Sequence, residues 1–410
     1  MFLCQSESIP GTRGSDDVQE TQAFQNFFKD VQIDGPFERW EHWHRFDETD
    51  DGNCLRHDSI EYELPLGALG RVFGEASVRR SLDRAFHYRH QTTAADMEFQ
   101  SNYATDSPLR VAVTGASGLV GSALTALLTT GGHEVIPLVR KPGNGNAAAA
   151  LWDPEKGLLE PGKLEGIDAV VHLAGENIAE GRWTERKKEK ILRSRVEGTR
   201  NLVRSLGQLN RRPGTFLSAS AIGIYGDRGD ELLDETSQLG SGFLADVCRQ
   251  WEEAAEQAGS FDMRVVTART GVVLSPAGGA LAKMLPAFRL GAGGRLGSGE
   301  QFMSWISIDD AAAALIHMLL RSELSGPVNL VSPSPVRNKE FTRDLAQVLK
   351  RPAIMPLPAL GAKLLFGQMA EEALLASARV LPGKLQGTEY QFRDQEVAST
   401  LKRLLGRAGS

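Results

Sequence analysis

The feature that most constrains the fold is a glycine-rich turn between an apolar strand and a helix. Residues 109–113 (LRVAV) predict a short buried strand, and the chain continues directly into TGASGLVGSALTALL. Glycines stand at Gly115, Gly118 and Gly121. In a strand–turn–helix unit of this kind, the first glycine allows a tight turn, the second lets the backbone approach a pyrophosphate, and the third lets helix and strand pack closely. The unit therefore predicts a dinucleotide site, with the helix N-terminus facing the phosphates.

Backbone groups along this turn are expected to contact the cofactor. The predicted contacts are Gly115, Ala116, Ser117, Gly118, Leu119, Val120 and Gly121. A second strand, residues 134–139, follows the helix and ends in Arg140 and Lys141, where an acidic residue would bond the ribose hydroxyl of NAD. A cationic side chain at this place favours the 2′-phosphate of NADP instead. We therefore predict NADP as the cofactor, with NAD as the alternative.

Strands and helices alternate from the first buried strand onwards, which predicts a parallel sheet covered on both faces. We predict an α/β protein with a Rossmann-type, doubly wound parallel sheet over residues 109–335. A small C-terminal region, helical and on the substrate side, follows at residues 336–410. Upstream of the sheet, residues 1–29 are expected to be poorly ordered. Residues 30–92 are expected to form a partial α+β segment, and residues 93–108 a polar linker.

The segment 30–92 contains two strand-like runs, at residues 37–46 and 55–64, and a helix over residues 75–90. The phrases GPFERWEHWHRF and FHYRH make it resemble the closing part of a START-like, helix-grip ligand-binding domain. Such a domain needs more strands to close a cavity around a ligand, and an isolated hairpin is only marginally stable. We therefore expect a partial domain that packs on the rest of the chain or stays partly loose, without a ligand pocket.

Composition weighs against several classes of function. A net charge of −6 provides no basic patch for nucleic acid. Three cysteines, Cys4, Cys54 and Cys248, form no CxxC pair, so neither a disulfide framework nor a metal site is expected. No run approaches the roughly 18 apolar residues that a membrane-spanning helix needs. We expect a cytoplasmic protein without nucleic-acid or membrane partners, and we leave a homodimer open.

Phrases farther along the chain carry a family resemblance. A predicted strand at residues 167–173 leads into HLAGENIAEGRWTERKKEKILRSRV, and SASAIGIYG and GFLADVCRQWE follow. Together with TGASGLVG and LWDP, these phrases resemble extended short-chain dehydrogenase/reductases and, more narrowly, the sugar-epimerase-related "epimerase family" proteins. The tail, residues 355–405, resembles the small helical domain that accompanies this family. The resemblance places four further residues beside the adenosine part of the cofactor: Asp153, Leu173, Ala174 and Gly175.

The catalytic pair typical of that superfamily is missing. In extended reductases a tyrosine transfers the proton, a lysine four residues later lowers the pKa of the tyrosine, and a serine polarises the carbonyl. The resemblance assigns the serine to Ser220, with Ser218 close by, but puts Phe243 and Val247 at the tyrosine and lysine positions. No YxxxK occurs anywhere in the chain. The predicted catalytic residues are therefore Ser220, Ser218 and Tyr225, expected to face the cleft at the strand ends.

Two functional hypotheses stay open. In the first, the protein is an oxidoreductase or epimerase-like enzyme that acts on an unknown small molecule without the Tyr-x-x-x-Lys pair. Polar residues such as Glu176 and Arg182, in the loop after the fourth strand, are further candidates for the proton transfer. In the second hypothesis, the protein is a non-catalytic NADP-binding sensor or metabolite-binding protein. A glycine-rich stretch with three basic residues, 278–299, could close over a ligand, which favours an anionic substrate.

Overall fold

A computed structural model of the chain describes residues 22–24, 27–49, 54–105, 107–141 and 148–407. The chain divides into two compact units, with the boundary between Arg89 and His90. Residues 1–21, the larger part of the stretch predicted to be poorly ordered, lie outside the described residues. Residues 22–24 and 27–29 of that stretch belong to strands of the first unit.

The first unit contains a four-stranded antiparallel sheet in which each strand pairs with the next along the chain. Its strands are β1 (Gln22–Phe24), β2 (Phe27–Val31), β3 (Arg39–Glu48) and β4 (Cys54–Glu63). The long strands β3 and β4 correspond to the two runs predicted from alternating aromatic and charged residues. Strands β1 and β2 were not predicted from the sequence.

A long helix, α1 (Gly67–Asn102), follows this sheet, and the boundary between the units falls within it. We predicted a helix only over residues 75–90, followed by a polar linker. The helix instead continues to Asn102, and its last turns contain Ala, Met, Glu and Gln, which are favourable helix formers, without glycine or proline. In the second unit Phe99, on these last turns, is buried in the apolar core, which gives the added turns a packing partner.

The second unit is built on an eight-stranded sheet of order β16-β12-β10-β9-β5-β6-β7-β8. In chain order, the strands of this unit are β5 (Arg110–Thr114), β6 (Glu134–Val139), β7 (Ala150–Asp153), β8 (Gly157–Leu158), β9 (Ala169–His172), β10 (Thr215–Ala221), β11 (Leu232–Leu233), β12 (Arg264–Thr270), β13 (Val272–Leu274), β14 (Phe302–Met303), β15 (Trp305–Ser307), β16 (Gly326–Leu330), β17 (Val336–Arg337) and β18 (Arg379–Val380). All neighbours in the large sheet are parallel except β7 and β8. The short strands form separate pairs, β11 with β18, β13 with β15, and β14 with β17.

Helices cover both faces of this sheet. In chain order, the helices of this unit after α1 are α2 (Leu119–Thr130), α3 (Glu185–Gly207), α4 (Phe243–Glu256), α5 (Gly279–Arg289), α6 (Ile308–Leu320), α7 (Asn338–Leu349), α8 (Ala359–Phe366), α9 (Gly383–Gly387) and α10 (Val397–Leu404). Successive residues of β5 point to opposite faces, so Val111 and Val113 pack in a core with α2 and α6, whereas Ala112 packs in a second core with α3. The predicted Rossmann-type doubly wound sheet is thereby confirmed.

The last helices, α7 to α10, fall within the C-terminal region that the sequence predicted to be helical. The glycine-rich stretch 278–299 is not one long loop, because α5 occupies its first half. In the part of the chain that the structure describes, no helix combines the length and the apolar character that crossing a bilayer requires.

Candidate functional site

The sheet changes winding direction between β5 and β9. These strands are neighbours, although β6, β7 and β8 lie between them in sequence and extend the sheet on the other side of β5. Such a switch point opens a crevice beyond the carboxyl ends of the strands, where ligands of open α/β sheets bind. The glycine turn begins directly after β5 and therefore lies at this crevice.

Each glycine of the turn stands where a side chain would collide or strain the backbone. Gly115 has a φ of +69°, which favours glycine, and a Cβ there would lie 3.1 Å from the backbone nitrogen of Ala174. The N–H of Gly118 donates to the carbonyl of Gly115 at 2.9 Å and closes the turn. A Cβ on Gly121 would lie only 2.1 Å from the carbonyl oxygen of Gly115. The third glycine thus allows α2 to start against the turn.

The N-terminus of α2 is available to an anion. No side chain caps the helix at Gly118, and the first amide groups of a helix have no partner within the helix. Together with the partial positive charge of the helix end, these amides favour phosphate groups. The residues predicted to contact the cofactor, from Gly115 to Gly121, are all brought together at this turn.

A chain of hydrogen bonds holds the turn against the loop after β9. The hydroxyl oxygen of Thr114 accepts from the N–H groups of Leu173 at 3.0 Å and Ala174 at 3.1 Å. It also lies 2.7 Å from Nδ1 of His172, whose Nε2 lies 3.0 Å from the hydroxyl of Thr199. With two N–H groups already bonded to its oxygen, Thr114 donates its proton to Nδ1, so His172 carries its hydrogen on Nε2 and donates to Thr199.

His172 has a positioning role in this arrangement. Burial lowers its pKa to about 3, and the charge of Arg195 acts in the same direction. The imidazole is therefore neutral near pH 7, in the tautomer that the chain of hydrogen bonds requires. Leu173 and Ala174, which the resemblance placed beside the adenosine ribose, lie next to Gly115 because this chain fixes them there.

The residues expected at the adenosine end follow two neighbouring strands. Arg140 and Lys141 come directly after β6 and are exposed. Asp153 ends β7, which pairs with β6 in parallel, so the carboxyl ends of both strands meet at the same edge of the sheet. The carboxylate of Asp153 accepts from the N–H of Glu155 at 2.8 Å, which stabilises the turn after β7.

The loop after β9 carries Glu176, whose backbone carbonyl and carboxylate each accept from a basic side chain. Gly175 is exposed, and a Cβ there would lie 3.2 Å from the guanidinium carbon of Arg195. Arg195 donates to the carbonyl of Glu176 at 3.0 Å and lies over the ring of Trp251 at 5.1 Å. The carboxylate of Glu176 accepts from Nζ of Lys187 at 2.7 Å, and this bond lowers the pKa of Glu176. An anionic carboxylate from the loop after β9 is thereby paired with an ammonium group from the first turn of α3.

The predicted catalytic residues do not face an open cleft. Ser218, Ser220 and Tyr225 are 0%, 3% and 0% exposed. The hydroxyl of Ser220 donates to Glu252 at 2.6 Å, and that of Ser218 donates to the carbonyl of Ala219 at 3.1 Å. The expectation of cleft-facing side chains is therefore corrected: α4, which packs on β10, covers this end of the strand and takes up the Ser220 hydroxyl.

Tyr225 belongs to a buried polar network. Arg269 on β12 makes two hydrogen bonds with Glu252, at 2.9 and 2.8 Å, and donates to the Tyr225 hydroxyl at 3.0 Å. The Tyr225 hydroxyl lies 2.8 Å from Oδ1 of Asn329, an acceptor for its proton, and burial raises the pKa of the phenol. Ser220, Arg269 and Asn329 occupy one row across three parallel strands. The network accounts for Tyr225 as a structural residue.

An apolar cluster contains Phe243 and Val247, the two residues that the resemblance put at the tyrosine and lysine positions. The ring of Trp183 meets Phe243 edge to face at 5.3 Å, and Val247 is 2% exposed. The cluster consists of Ile178, Trp183, Ile191, Leu192, Phe243, Leu244, Val247, Phe366, Met369 and Leu374. Neither position therefore holds a group that can donate a proton or bind a ribose.

The C-terminal region contributes a residue that sequence reasoning missed. The carboxylate of Glu372 accepts from the N–H groups of Phe243 at 3.2 Å and Leu244 at 2.8 Å, and so caps α4. Gly242 precedes the helix with a φ of +110°, and a Cβ there would lie 3.3 Å from the Glu372 carboxyl group. An anion at a helix N-terminus is stabilising. No local pattern signals this cap, since the partners are 129 and 128 residues apart.

A basic groove of about 840 Å³ lies between α7 and the segments after α5 and α7. Its cationic residues are Arg295, Lys339, Arg343, Lys350 and Arg351. Only Arg295 belongs to the stretch predicted to close over an anionic ligand. The same stretch reaches the loop after β9 through Lys283, whose Nζ donates to the carbonyl of Ala179 at 2.8 Å.

Comparison with known proteins identifies related structures. A crystal structure of the nucleoside-diphosphate sugar epimerase from Corynebacterium glutamicum is 37% identical, with a TM-score of 0.74, and the match covers 93% of this chain and 75% of that one. Because the second unit makes up less than 93% of the chain, this match includes part of the first unit. A crystal structure of human epimerase family protein SDR39U1 (isoform 2) with NADPH is 36% identical, with a TM-score of 0.68, and covers 73% of this chain and 100% of that one. None of these matches supports the START-like resemblance of residues 30–92.

Family models and curated relatives agree with these structures. Residues 111–330 match the model of the NAD dependent epimerase/dehydratase family, and residues 357–404 match a domain of unknown function, DUF1731. Epimerase family protein Mb2239 of Mycobacterium bovis is 43% identical over 299 residues, which are 73% of this chain and 98% of that protein. The chain therefore belongs to the NAD dependent epimerase/dehydratase family.

Proposed function

We propose that the protein binds NADP(H) at the glycine turn and acts as an oxidoreductase of the epimerase/dehydratase type on a small molecule. The geometry of the turn carries this proposal, because Gly115 has a left-handed φ of +69° and Gly121 stands where any side chain would collide with the backbone of Gly115. The bound nicotinamide would supply or accept the hydride. The NADPH in the structure of the human relative supports the same choice of cofactor.

Recognition of the extra phosphate of NADP(H) is assigned to the end of β6. Arg140 and Lys141 are exposed there, beside the end of β7. A hydrogen bond to a charged group contributes about 1.5–3 kcal/mol, so a cation on the 2′-phosphate gives a marked preference for NADPH over NADH. The carboxylate of Asp153 already caps the turn after β7 and is not needed for the ribose in this proposal.

Replacing Arg140 by Asp together with Lys141 by Ser is expected to weaken NADPH binding by roughly 10- to 150-fold, since about 1.5–3 kcal/mol is lost. Affinity for NADH should stay within a fewfold or increase, because the new carboxylate can bond the ribose hydroxyl. Both affinities are measured by titrating the protein with each dinucleotide and recording the fluorescence of the reduced nicotinamide. Lys402→Glu, at an exposed lysine on α10, is the control for altered charge. An equal loss for both dinucleotides would contradict this assignment.

The proton transfer requires groups other than the tyrosine–lysine pair. Glu176 and Lys187 are the candidates that we favour, because the carboxylate of Glu176, in the loop after β9, accepts from Nζ of Lys187, on α3, at 2.7 Å. The lowered pKa keeps Glu176 ionised, so its carboxylate can accept a proton, while the ammonium of Lys187 can donate one. The cationic side chains of Lys187 and Arg182 also favour an anionic substrate at this loop, since unlike charges attract.

Turnover separates an enzyme from a binding protein. The purified chain is incubated with NADPH and a panel of carbonyl compounds and nucleotide sugars, and absorbance of the reduced nicotinamide is followed. We expect oxidation with at least one anionic member of the panel, and Glu176→Gln should lower the rate by about 10²- to 10⁴-fold. Glu185→Gln, at an exposed glutamate that also pairs with a lysine, is the matched control.

A second candidate function is a non-catalytic NADP(H) sensor or metabolite-binding protein. A specific observation favours it: Phe243 and Val247 lie in an apolar cluster, and the hydroxyls of Ser220 and Tyr225 are bonded to buried partners. Tight NADPH binding without turnover on the whole panel would support the sensor and count against the enzyme.

A further inference from the structure

A group of histidine and aspartate side chains lies on one face of the sheet in the first unit. His42 and His44 are two residues apart on β3, so they point to the same face. Asp30 on β2 is the cross-strand neighbour of His42, and Asp58 on β4 is that of His44. The side chains of both histidines and of Asp58 are less than 10% exposed, and that of Asp30 is 16% exposed.

The polar atoms of this group converge. Nε2 of His44 lies 3.2 Å from Oδ2 of Asp30, while Nδ1 of the same ring lies 2.5 Å from Oδ1 of Asp58. Nε2 of His42 lies 3.3 Å from Oδ1 of Asp58. One ligand atom each from Asp30, His42 and His44 can be chosen so that all three lie within 4.8 Å of one another.

We propose that Asp30, His42 and His44 form a binding site for a divalent transition-metal ion of the zinc type. Bonds from zinc to nitrogen and oxygen are about 2.0–2.2 Å, which puts neighbouring ligand atoms of a tetrahedral site roughly 3.3–3.6 Å apart. The 3.2 Å between His44 Nε2 and Asp30 Oδ2 is close to that spacing. Three protein ligands leave the fourth position for water or a further ligand, as in sites where the metal takes part in chemistry.

Asp58 is not one of the three proposed ligands but holds the imidazole of one of them, His44. A metal-binding imidazole usually donates its other N–H to a carboxylate, and His44 has Asp58 at its Nδ1. Nη2 of Arg56 donates to Asp58 at 3.0 Å and lies 3.4 Å from that ring nitrogen. The carboxylate of Asp58 accepts the hydrogen of Nδ1, which leaves the lone pair of the His44 ring on Nε2.

The lone pair on Nε2 of His44 favours a bound metal ion between His44 and Asp30 over direct contact of the two side chains. With the hydrogen of the ring on Nδ1, His44 has an acceptor at Nε2, and this atom faces the carboxylate acceptor of Asp30 at 3.2 Å. A cation between them removes the repulsion. The competing explanation is a second proton on His44, which would then form an imidazolium bridging Asp30 and Asp58. Two imidazoles and one carboxylate suit zinc and its neighbours, whereas calcium and magnesium require oxygen ligands.

The test uses the full chain without an affinity tag, treated with a chelator and dialysed. Cobalt is added while its visible absorption is followed, and zinc is then titrated in competition. We expect one equivalent of metal per chain, with magnesium not competing. Asp30→Asn and His44→Gln should each abolish stoichiometric binding, and Asp58→Asn should weaken it by about 10- to 100-fold. His57→Gln, at a histidine on β4 that is 47% exposed, should leave binding unchanged.

Uptake of no cobalt or zinc by the folded wild type would overturn the proposal in favour of the protonated histidine. Uptake that persists unchanged in Asp30→Asn and His44→Gln would overturn it as well. Where these variants do not fold, X-ray absorption of the zinc-loaded wild type decides. Two imidazole nitrogens among the ligands support the site, and a shell made only of oxygen or containing sulfur rejects it.

Discussion

Gly121→Val is expected to lower the affinity for NADPH by more than about 100-fold. The new Cβ would lie 2.1 Å from the carbonyl oxygen of Gly115 and 2.8 Å from its carbonyl carbon. These are backbone atoms of the turn itself, so the contact is relieved only by moving α2 away from β5. Overpacking of this kind costs about 1–3 kcal/mol or more, and here it also displaces the amides that would hold the pyrophosphate. NADPH titration and the melting temperature of the variant measure the two effects.

A matched glycine separates this steric effect from a general effect of glycine replacement. A Cβ on Gly162 meets no atom within 4 Å, and its φ is not in the left-handed region. Gly162→Val should therefore bind NADPH like the wild type. An affinity of Gly121→Val within about threefold of the wild type would contradict the role assigned to the third glycine, since threefold is less than 1 kcal/mol.

Glu252→Ala is expected to destabilise the protein by about 3–5 kcal/mol, because it leaves the guanidinium of Arg269 buried without its carboxylate. Arg269 is 4% exposed and makes two hydrogen bonds with Glu252. Ser220 loses its acceptor in the same variant. The shift of the urea unfolding midpoint measures the loss.

The double variant Glu252→Leu with Arg269→Met tests the cause of that loss. Removing both charges leaves no unpaired ion, so the double variant should be more stable than Glu252→Ala. Asp246→Ala is the matched control on the same helix, because it breaks an exposed pair with Arg249 that should contribute at most about 1 kcal/mol. Equal destabilisation by Glu252→Ala and Asp246→Ala would show that the buried network does not hold this end of the sheet together.

Local features of the sequence predicted the fold and the cofactor turn. The roles of Gly115, Gly118 and Gly121 are set by a short segment that runs from the end of a strand into the first turn of a helix, and those roles are visible in the order of residues. The alternation of strands and helices after residue 109 predicted the parallel sheet in the same way. Helix α1 was predicted too short because its last turns are polar, and their burial around Phe99 depends on the rest of the second unit.

Features that depend on tertiary pairing could not be predicted. The strand ends at Ser220, Arg269 and Asn329 are far apart in sequence, and only the register of β10, β12 and β16 puts them in one row. For that reason the buried state of Ser220 and Tyr225 was missed. The cap of α4 by Glu372 was missed for the same reason, because Glu372 is 128 residues away from Leu244 in sequence. His42 and His44 stand two residues apart in the sequence, and the absence of CxxC pairs gives no information on a site of this kind.

One measurement tests the central claim most directly, namely that the amides of the glycine turn hold a pyrophosphate and that a basic residue after β6 recognises the 2′-phosphate. Isothermal titration of the wild-type chain is carried out with NADPH and, separately, with NADH. We predict one NADPH bound per chain and an affinity for NADH lower by roughly 10-fold or more. Absence of binding for both dinucleotides would contradict the account.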